Sequence, residues 1–224
     1  MRRRPRLLDL FCGAGGAAMG YHRAGFEVVG VDNKPQPRFP FEFYCADAVT
    51  FPFEFRRLFG YFKPDVIHAS PPCQAYCALR HLYPNKKYPC FIAPIRERLI
   101  QWGGVYVIEN VPKSPLINPI QLCGSSFGLR VRRHRLFESN IKIEPLGCQH
   151  QEQGRPIDVS GTGGRRINRR PDDHGGNTNK PRNIEEARSA IGIDWMSRYE
   201  LSQSIPPAYT EYIGKQLMKA LNEQ

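Results

Sequence analysis

Apolar and polar positions along the chain alternate between short apolar runs, glycine turns and amphipathic stretches. Residues 6–11 form an apolar run that ends in Cys12-Gly13-Ala14-Gly15-Gly16, and a helix is predicted behind it over 17–24, stopped by Gly25. Glu27-Val28-Val29-Gly30-Val31-Asp32 reads as a second strand closing on an acid. A short strand over 43–47, a helix around 53–62 and a strand over 65–69 follow. Next come a helix over 91–102, with Ile92, Ile95, Leu99 and Ile100 on one side, and a strand over 105–108. Strand, glycine turn, helix, strand and acid is the opening of a doubly wound fold. The continued alternation predicts an α/β protein built on a mostly parallel sheet.

The pattern then changes. Residues 75–89 have no period and are expected to form a loop, whereas 130–137 are expected to be a strand dense in positive charge. Between 145 and 182 the chain is rich in Gly, Arg, Asn and Asp, and so poor in apolar residues that it is expected to bury little core. Two helices, over 184–191 and 209–222, close the chain. The expected division is an α/β domain over 1–144, a small irregular basic insertion over 145–182, and returning helices over 183–224.

Composition adds a partner class. The 224 residues carry 32 basic against 21 acidic side chains, a formal charge of +11, which favours a polyanion and nucleic acid first. Seven scattered cysteines, with no secretory segment before them, imply free thiols and a cytoplasmic location. No apolar run approaches a membrane span.

Candidate chemistry clusters at strand ends. Asp65-Val66-Ile67-His68-Ala69 runs into Ser70-Pro71-Pro72-Cys73-Gln74, where two prolines stiffen the loop in front of a thiol. The glycine turn lacks the Lys-Ser/Thr ending of a triphosphate loop. Asp32 suits two ribose hydroxyls and Asp47 an adenine amino group, so an adenosine-type cofactor is expected. Cys148, His150 and His174 invite a zinc reading, but their spacing is wrong for a finger and no metal is expected.

Three motifs then carry a specific resemblance: Asp9-Leu10-Phe11-Cys12-Gly13-Ala14-Gly15-Gly16, Ser70-Pro71-Pro72-Cys73-Gln74 and Glu109-Asn110-Val111. Their types and order resemble the DNA (cytosine-5)-methyltransferase family. Arg133-His134-Arg135 is similar to its paired-arginine motif, 184–188 to its ninth motif and 207–214 to its tenth. The resemblance implies a Rossmann-like S-adenosylmethionine-dependent methyltransferase fold acting on double-stranded DNA. It implies Cys73 as nucleophile, Glu109 as proton donor to the base, Arg135 as the cation that holds the base oxygen O2, and Arg133 as its support, both arginines stabilising charge that develops on the ring. It implies a cofactor site from Phe11, Gly13, Ala14, Gly15, Gly16, Asp32, Asn33, Asp47, Ala48 and Pro72. DNA contacts are expected from Gln74, Arg80, Lys86, Lys87, Arg165, Arg166, Arg169 and Arg170, with the protein acting as a monomer.

Some features depart from the family pattern. The insertion is shorter than the family's usual recognition domain, and Val131 stands where the arginine motif often begins with glutamine. Gly214 is followed by Lys215, where the family has an asparagine near the donor's reacting end. An ammonium beside a sulfonium is unfavourable in a partly dry pocket. Lys215 therefore has two readings: a cofactor-site residue that would suit carboxy-S-adenosylmethionine and give 5-carboxymethylcytosine, or, the preferred one, a side chain that points to solvent or pairs with the donor's amino-acid carboxylate. An RNA cytosine-C5 methyltransferase and a non-catalytic nucleic-acid-binding protein are the alternative readings.

Overall fold

The computed structural model describes residues 3–50, 63–77, 85, 87–159 and 179–223. In order these give β1 (Arg6–Leu10), α1 (Gly16–Arg23), β2 (Glu27–Asp32), β3 (Glu42–Cys45), β4 (Val66–Ala69) and α2 (Ile92–Trp102). Then follow β5 (Val105–Asn110), β6 (Ile120–Leu122), a 3-10 turn at Gly124–Phe127, β7 (Arg135–Ser139), α3 (Ile184–Ile191), α4 (Arg198–Gln203) and α5 (Pro207–Asn222).

The strands form one sheet in the order β3-β2-β1-β4-β5-β7-β6, parallel from β3 through β5, with β7 antiparallel to both its neighbours. The direction of strand addition reverses between β1 and β4, and that switch opens a crevice beyond their carboxyl ends. Register sets what meets there. Leu10 pairs with Val31 and with Ala69, and Ala69 with Ile108. The glycine turn, Asp32, the Ser70 loop and Glu109 therefore leave the sheet side by side.

Successive residues of each inner strand point to opposite faces. Leu7, Val28, Val66 and Val107 pack with Tyr21, Phe26, Tyr209, Ile213 and Leu217 on one face. Leu8, Val29, Ile67 and Ile108 pack with Ile95 and Leu99 on the other. Burial on both faces is why these strands read as nearly unbroken apolar runs. Helix α5 seats directly on α1: Thr210 Oγ1 donates to the Ala17 carbonyl at 2.8 Å. No helix of the described residues is long and apolar enough to cross a membrane.

Several expectations change. Residues 130–134 are not strand, and β7 begins only at Arg135. The carbonyls of Leu129 and Val131 accept from Gln153 Nε2, and the Arg133 guanidinium turns inward, so this stretch has no ladder partner. Ile100, placed on the apolar side of α2, is 59% exposed. The basic insertion does bury some core: Ile157 and Val159 pack with Val131, Ala187, Ala190 and Ile191 in a third, smaller cluster. A bridge between Ile157 and Asn179 ties the two ends of that segment together. The helix expected around 53–62 lies outside the described residues.

Candidate active site

The glycine turn is shaped for a close approach. Phe11 takes φ +60, unusual for a bulky side chain and a mark of local strain. Gly13 follows at φ +50, and a Cβ there would meet nothing within 4 Å, so its backbone faces open space. At Gly15, φ +87, a Cβ would come within 2.8 Å of Pro40. Asp32 accepts from the Gly13 and Lys34 backbone N–H groups, both at 3.1 Å, which fixes its carboxylate beside the turn. Trp195 Nε1 donates to the Ala14 carbonyl at 2.8 Å, and a Cβ on Gly16 would reach 2.4 Å from the Ile205 carbonyl oxygen. The carboxyl-terminal segment thus closes the turn from one side.

The cysteine loop is pinned at three points. Ser70 N donates to Leu10 O at 3.1 Å, Asn110 Nδ2 donates to Pro71 O at 2.9 Å, and the Cys73 carbonyl accepts from Tyr76 N and Cys77 N. Cys73 is half-buried. Burial pushes its thiol pKa up, the positive charge of Arg135 opposes that rise, and the carboxylate of Glu109 adds to it.

Glu109 is 5% exposed at the end of β5. Its Oε1 lies 3.0 Å from Arg135 Nε, an ion contact in which the N–H is not aligned for a hydrogen bond, so this buried oxygen has no hydrogen-bond partner. Burial raises the Glu109 pKa, against the pull of Arg135, a hydrogen bond from Ser70 and the charge of Arg133. Behind it a chain of hydrogen bonds runs inward. Ser70 Oγ lies 2.8 Å from His68 Nε2, and His68 Nδ1 lies 2.9 Å from the Tyr21 hydroxyl. Burial pushes His68 down to about 3, so it is a neutral imidazole. Asp9, fully buried nearby, has its pKa held well above the carboxylate range by desolvation, with Asp32 and Glu109 adding.

The structure brings Cys73, Glu109 and Arg135 together beside the glycine turn and Asp32, with Pro72 next to the thiol. Asn33 and Asp47 are exposed at the tips beyond β2 and β3, Asp47 holding the Val49 backbone N–H at 2.9 Å, while Ala48 is buried. Gln74 and Lys87 are exposed. Arg80, Lys86, Arg165, Arg166, Arg169 and Arg170 lie outside the described residues.

Two further residues have definite places. Arg133 is buried and its guanidinium donates to the carbonyls of Leu201, Ser202 and Ser204 at the end of α4, which makes it a brace for the returning chain. Its own carbonyl accepts from the Tyr209 hydroxyl. Lys215 stands on the outer face of α5, its side chain 65% exposed and its Nζ 2.7 Å from Glu211. The residues that meet the glycine turn are Ser204 and Ile205, which precede α5, and Lys215 lies about 12 Å along the helix from its first residue, Pro207. Gly214 is there to let α5 approach Tyr21 and Ala24. The conflict with a sulfonium does not arise, and a carboxylated donor loses its premise.

His68, Tyr21 and Trp195 were not singled out in the sequence. A histidine inside an apolar strand was the available signal for the first, since a buried ring needs partners. The metal reading also changes, because Cys123 and His134 join Cys148 and His150 in space.

The profile of the C-5 cytosine-specific DNA methylase family matches residues 5–82. No curated protein matches the chain by sequence. Among solved structures, a prophage-encoded E. coli protein assigned as a DNA modification methyltransferase superposes with a TM-score of 0.65 at 17% identity, over 97% of this chain and 99% of that one. The Entamoeba histolytica methyltransferase EhMeth gives 0.59 at 13%, over 98% and 99%. The S. pombe Dnmt2 methyltransferase gives 0.57 at 15%, over 98% and 100%. At these identities the likeness is one of fold, and it extends over almost the entire chain. The chain thus carries a C-5 cytosine-specific DNA methylase profile over residues 5–82 and shares, over almost its whole length, the fold of solved methyltransferases.

Proposed function

We propose that the protein methylates C5 of a cytosine swung out of duplex DNA, through a covalent bond between Cys73 and C6. The observation that carries this reading is Glu109: a buried carboxyl with a raised pKa, one oxygen without a hydrogen-bond partner, and Arg135 at 3.0 Å. Such a group can hand a proton to a ring nitrogen and be held, once charged, by the neighbouring guanidinium.

C5 of cytosine is a weak nucleophile. Addition of the Cys73 thiolate to C6, after its proton has passed to solvent, shifts the ring electrons toward N3. Glu109 protonates N3 as that charge develops, leaving C5 enamine-like and able to form a new C–C bond. Arg135 stabilises the Glu109 carboxylate so produced and, in this reading, meets the base oxygen O2. Loss of the C5 proton to solvent then drives out the thiolate, restores the C5–C6 double bond and returns the N3 proton to Glu109.

The strand-end groups fit S-adenosylmethionine: an open backbone face at Gly13, an acid fixed at Asp32 for ribose, and Asn33 and Asp47 at adjacent tips. Bound there, it supplies an electrophilic sulfonium methyl. Ser204 and Ile205 wall the same turn. The target carbon is out of reach inside a stacked duplex, so extrusion at a few kcal/mol precedes chemistry.

A duplex carrying 5-fluorocytosine tests the covalent step, because fluorine cannot leave C5 as a proton does. Wild-type protein with S-adenosylmethionine is expected to give a denaturant-resistant adduct and Cys73→Ala none. Nucleoside mass spectrometry of duplex DNA and of RNA, incubated in parallel, is expected to show 5-methylcytosine in DNA. An adduct that survives Cys73→Ala, or modification confined to RNA, overturns the reading.

A further inference from the structure

Among the described residues, four metal-ligating side chains converge away from the Cys73–Glu109–Arg135 site: Cys123, His134, Cys148 and His150, with all four ligand atoms within 4.8 Å of one another. Cys123 Sγ is 3.2 Å from His150 Nε2, and Cys148 Sγ is 3.5 Å from His134 Nε2. The two imidazole rings lie 5.2 Å apart, inclined at 72°. Zinc–sulfur bonds of about 2.3 Å and zinc–nitrogen bonds of about 2.0–2.1 Å, opened to the tetrahedral angle, put sulfur and nitrogen about 3.5 Å apart. Both observed sulfur–nitrogen distances are near that edge length.

The chemistry of the donors selects the ion. Two thiols and two imidazoles, with no carboxylate among them, suit zinc and disfavour calcium or magnesium, which take oxygen ligands. The surroundings resemble the outer shell that fixes metal ligands. Ser125 Oγ donates to Cys123 Sγ at 3.2 Å and in turn accepts from Gln149 N at 3.0 Å. Ser126 Oγ donates to Gly147 O at 2.6 Å, and Arg132 Nη2 donates to His150 O at 3.0 Å. The loop bearing Cys148 and His150 is thereby held against the other two ligands by bonds that need no metal.

We propose that these four side chains hold one Zn²⁺ in a closed tetrahedral site. Binding would release the two thiol protons and leave both sulfurs as thiolates. The ligands come from three places: just after β6, the residue between Arg133 and Arg135, and the start of the basic insertion. The ion fastens that insertion to the sheet and holds the backbone from which Arg135 reaches Glu109. Its role is structural, since all four positions are filled by protein.

The test is the metal content of the full-length protein, purified without chelator and measured by inductively coupled plasma mass spectrometry. About one zinc per chain is expected. Cys148→Ser and His150→Ala, two changes at the partly open side of the site, are each expected to lower retained zinc at least about tenfold. Co²⁺ added to metal-stripped wild-type protein is expected to give the visible bands of a tetrahedral site with thiolate charge transfer. That signature is read on the wild-type chain, so it stands even where a variant fails to fold. A folded wild-type protein that neither retains zinc nor binds added Zn²⁺ or Co²⁺ overturns the proposal. So does full zinc retention by the double variant, or a Cys123–Cys148 disulfide in protein prepared without oxidant.

Discussion

Glu109 and Cys73 share a difficulty: burial favours the uncharged form of each, yet the proposed chemistry needs the carboxyl with its proton and the thiol without one. The reactive pair is therefore always a minority species, and its pH dependence follows directly. Below the raised Glu109 pKa the acid is already protonated, so activity climbs with the thiolate fraction. Above the raised Cys73 pKa the thiolate is complete, so activity falls as Glu109 sheds its remaining protons. Between the two the product is flat. The profile of kcat/KM is expected to be a bell whose limbs are set by the coupled pair, the alkaline limb lying above the ordinary thiol range. Glu109→Gln is expected to cost about 10²–10⁴ in turnover and to erase the alkaline decline, since nothing remains there to deprotonate. An alkaline limb that persists in the variant would assign it to another group.

At the level of elements, the contact between α1 and α5 sets how closely the carboxyl-terminal chain can approach the glycine turn. Gly20 is the point of closest approach: a Cβ there would stand 2.1 Å from the Pro207 carbonyl oxygen, 2.1 Å from Thr210 Oγ1 and 2.7 Å from Glu211 N. Backbone atoms cannot step aside as a side-chain tip does. Gly20→Ala is expected to cost about 3 kcal/mol or more, toward the upper end for overpacking. In a chain of this size that corresponds to a fall in Tm of roughly 6–12 °C, readable by calorimetry. A Tm unchanged within a degree would show that the two helices separate freely.

Elements of this kind differ in how far they can be read in advance. The inner parallel strands were legible because burial on both faces leaves unbroken apolar runs, and the strand-end motifs marked Cys73 and Glu109. Strand β6 has only three residues and carried no pattern. Helix α4 was missed although Ser197 and Glu200 form a full capping box, a signal written in the sequence itself. The 130–137 run misled because arginines were read as a charged strand face, whereas Arg133 is buried in a cage of carbonyls. Cys123 and His134 were invisible as partners of Cys148 and His150, because their proximity is made only when β6 and β7 pair.

Across the whole molecule, the excess of 32 basic over 21 acidic residues is an electrostatic statement about a partner. Release of counterions from duplex DNA makes log K fall with log salt at about −0.9 per phosphate neutralised. A footprint of about 6–10 phosphates therefore weakens binding by about 10³–10⁵ between about 50 and 200 mM salt. Part of that charge lies in the sequence of the basic insertion. Within the basic insertion, Ile157 and Val159 are buried against α3, and Asn179 bridges back to Ile157. Arg165, Arg166, Arg169 and Arg170 fall in the sequence between those two anchors, and Arg130, whose carbonyl accepts from Ile157 N, adds charge beside the first of them. Replacing all four with serine is expected to reduce the salt slope by about 0.9 for each phosphate they neutralise, up to about 3.6. The anchoring residues are untouched, so Tm should hold. Fluorescence anisotropy of a labelled duplex at several salt concentrations reads the slope directly. An unchanged slope would put the phosphates on the catalytic body and remove the insertion from the DNA interface.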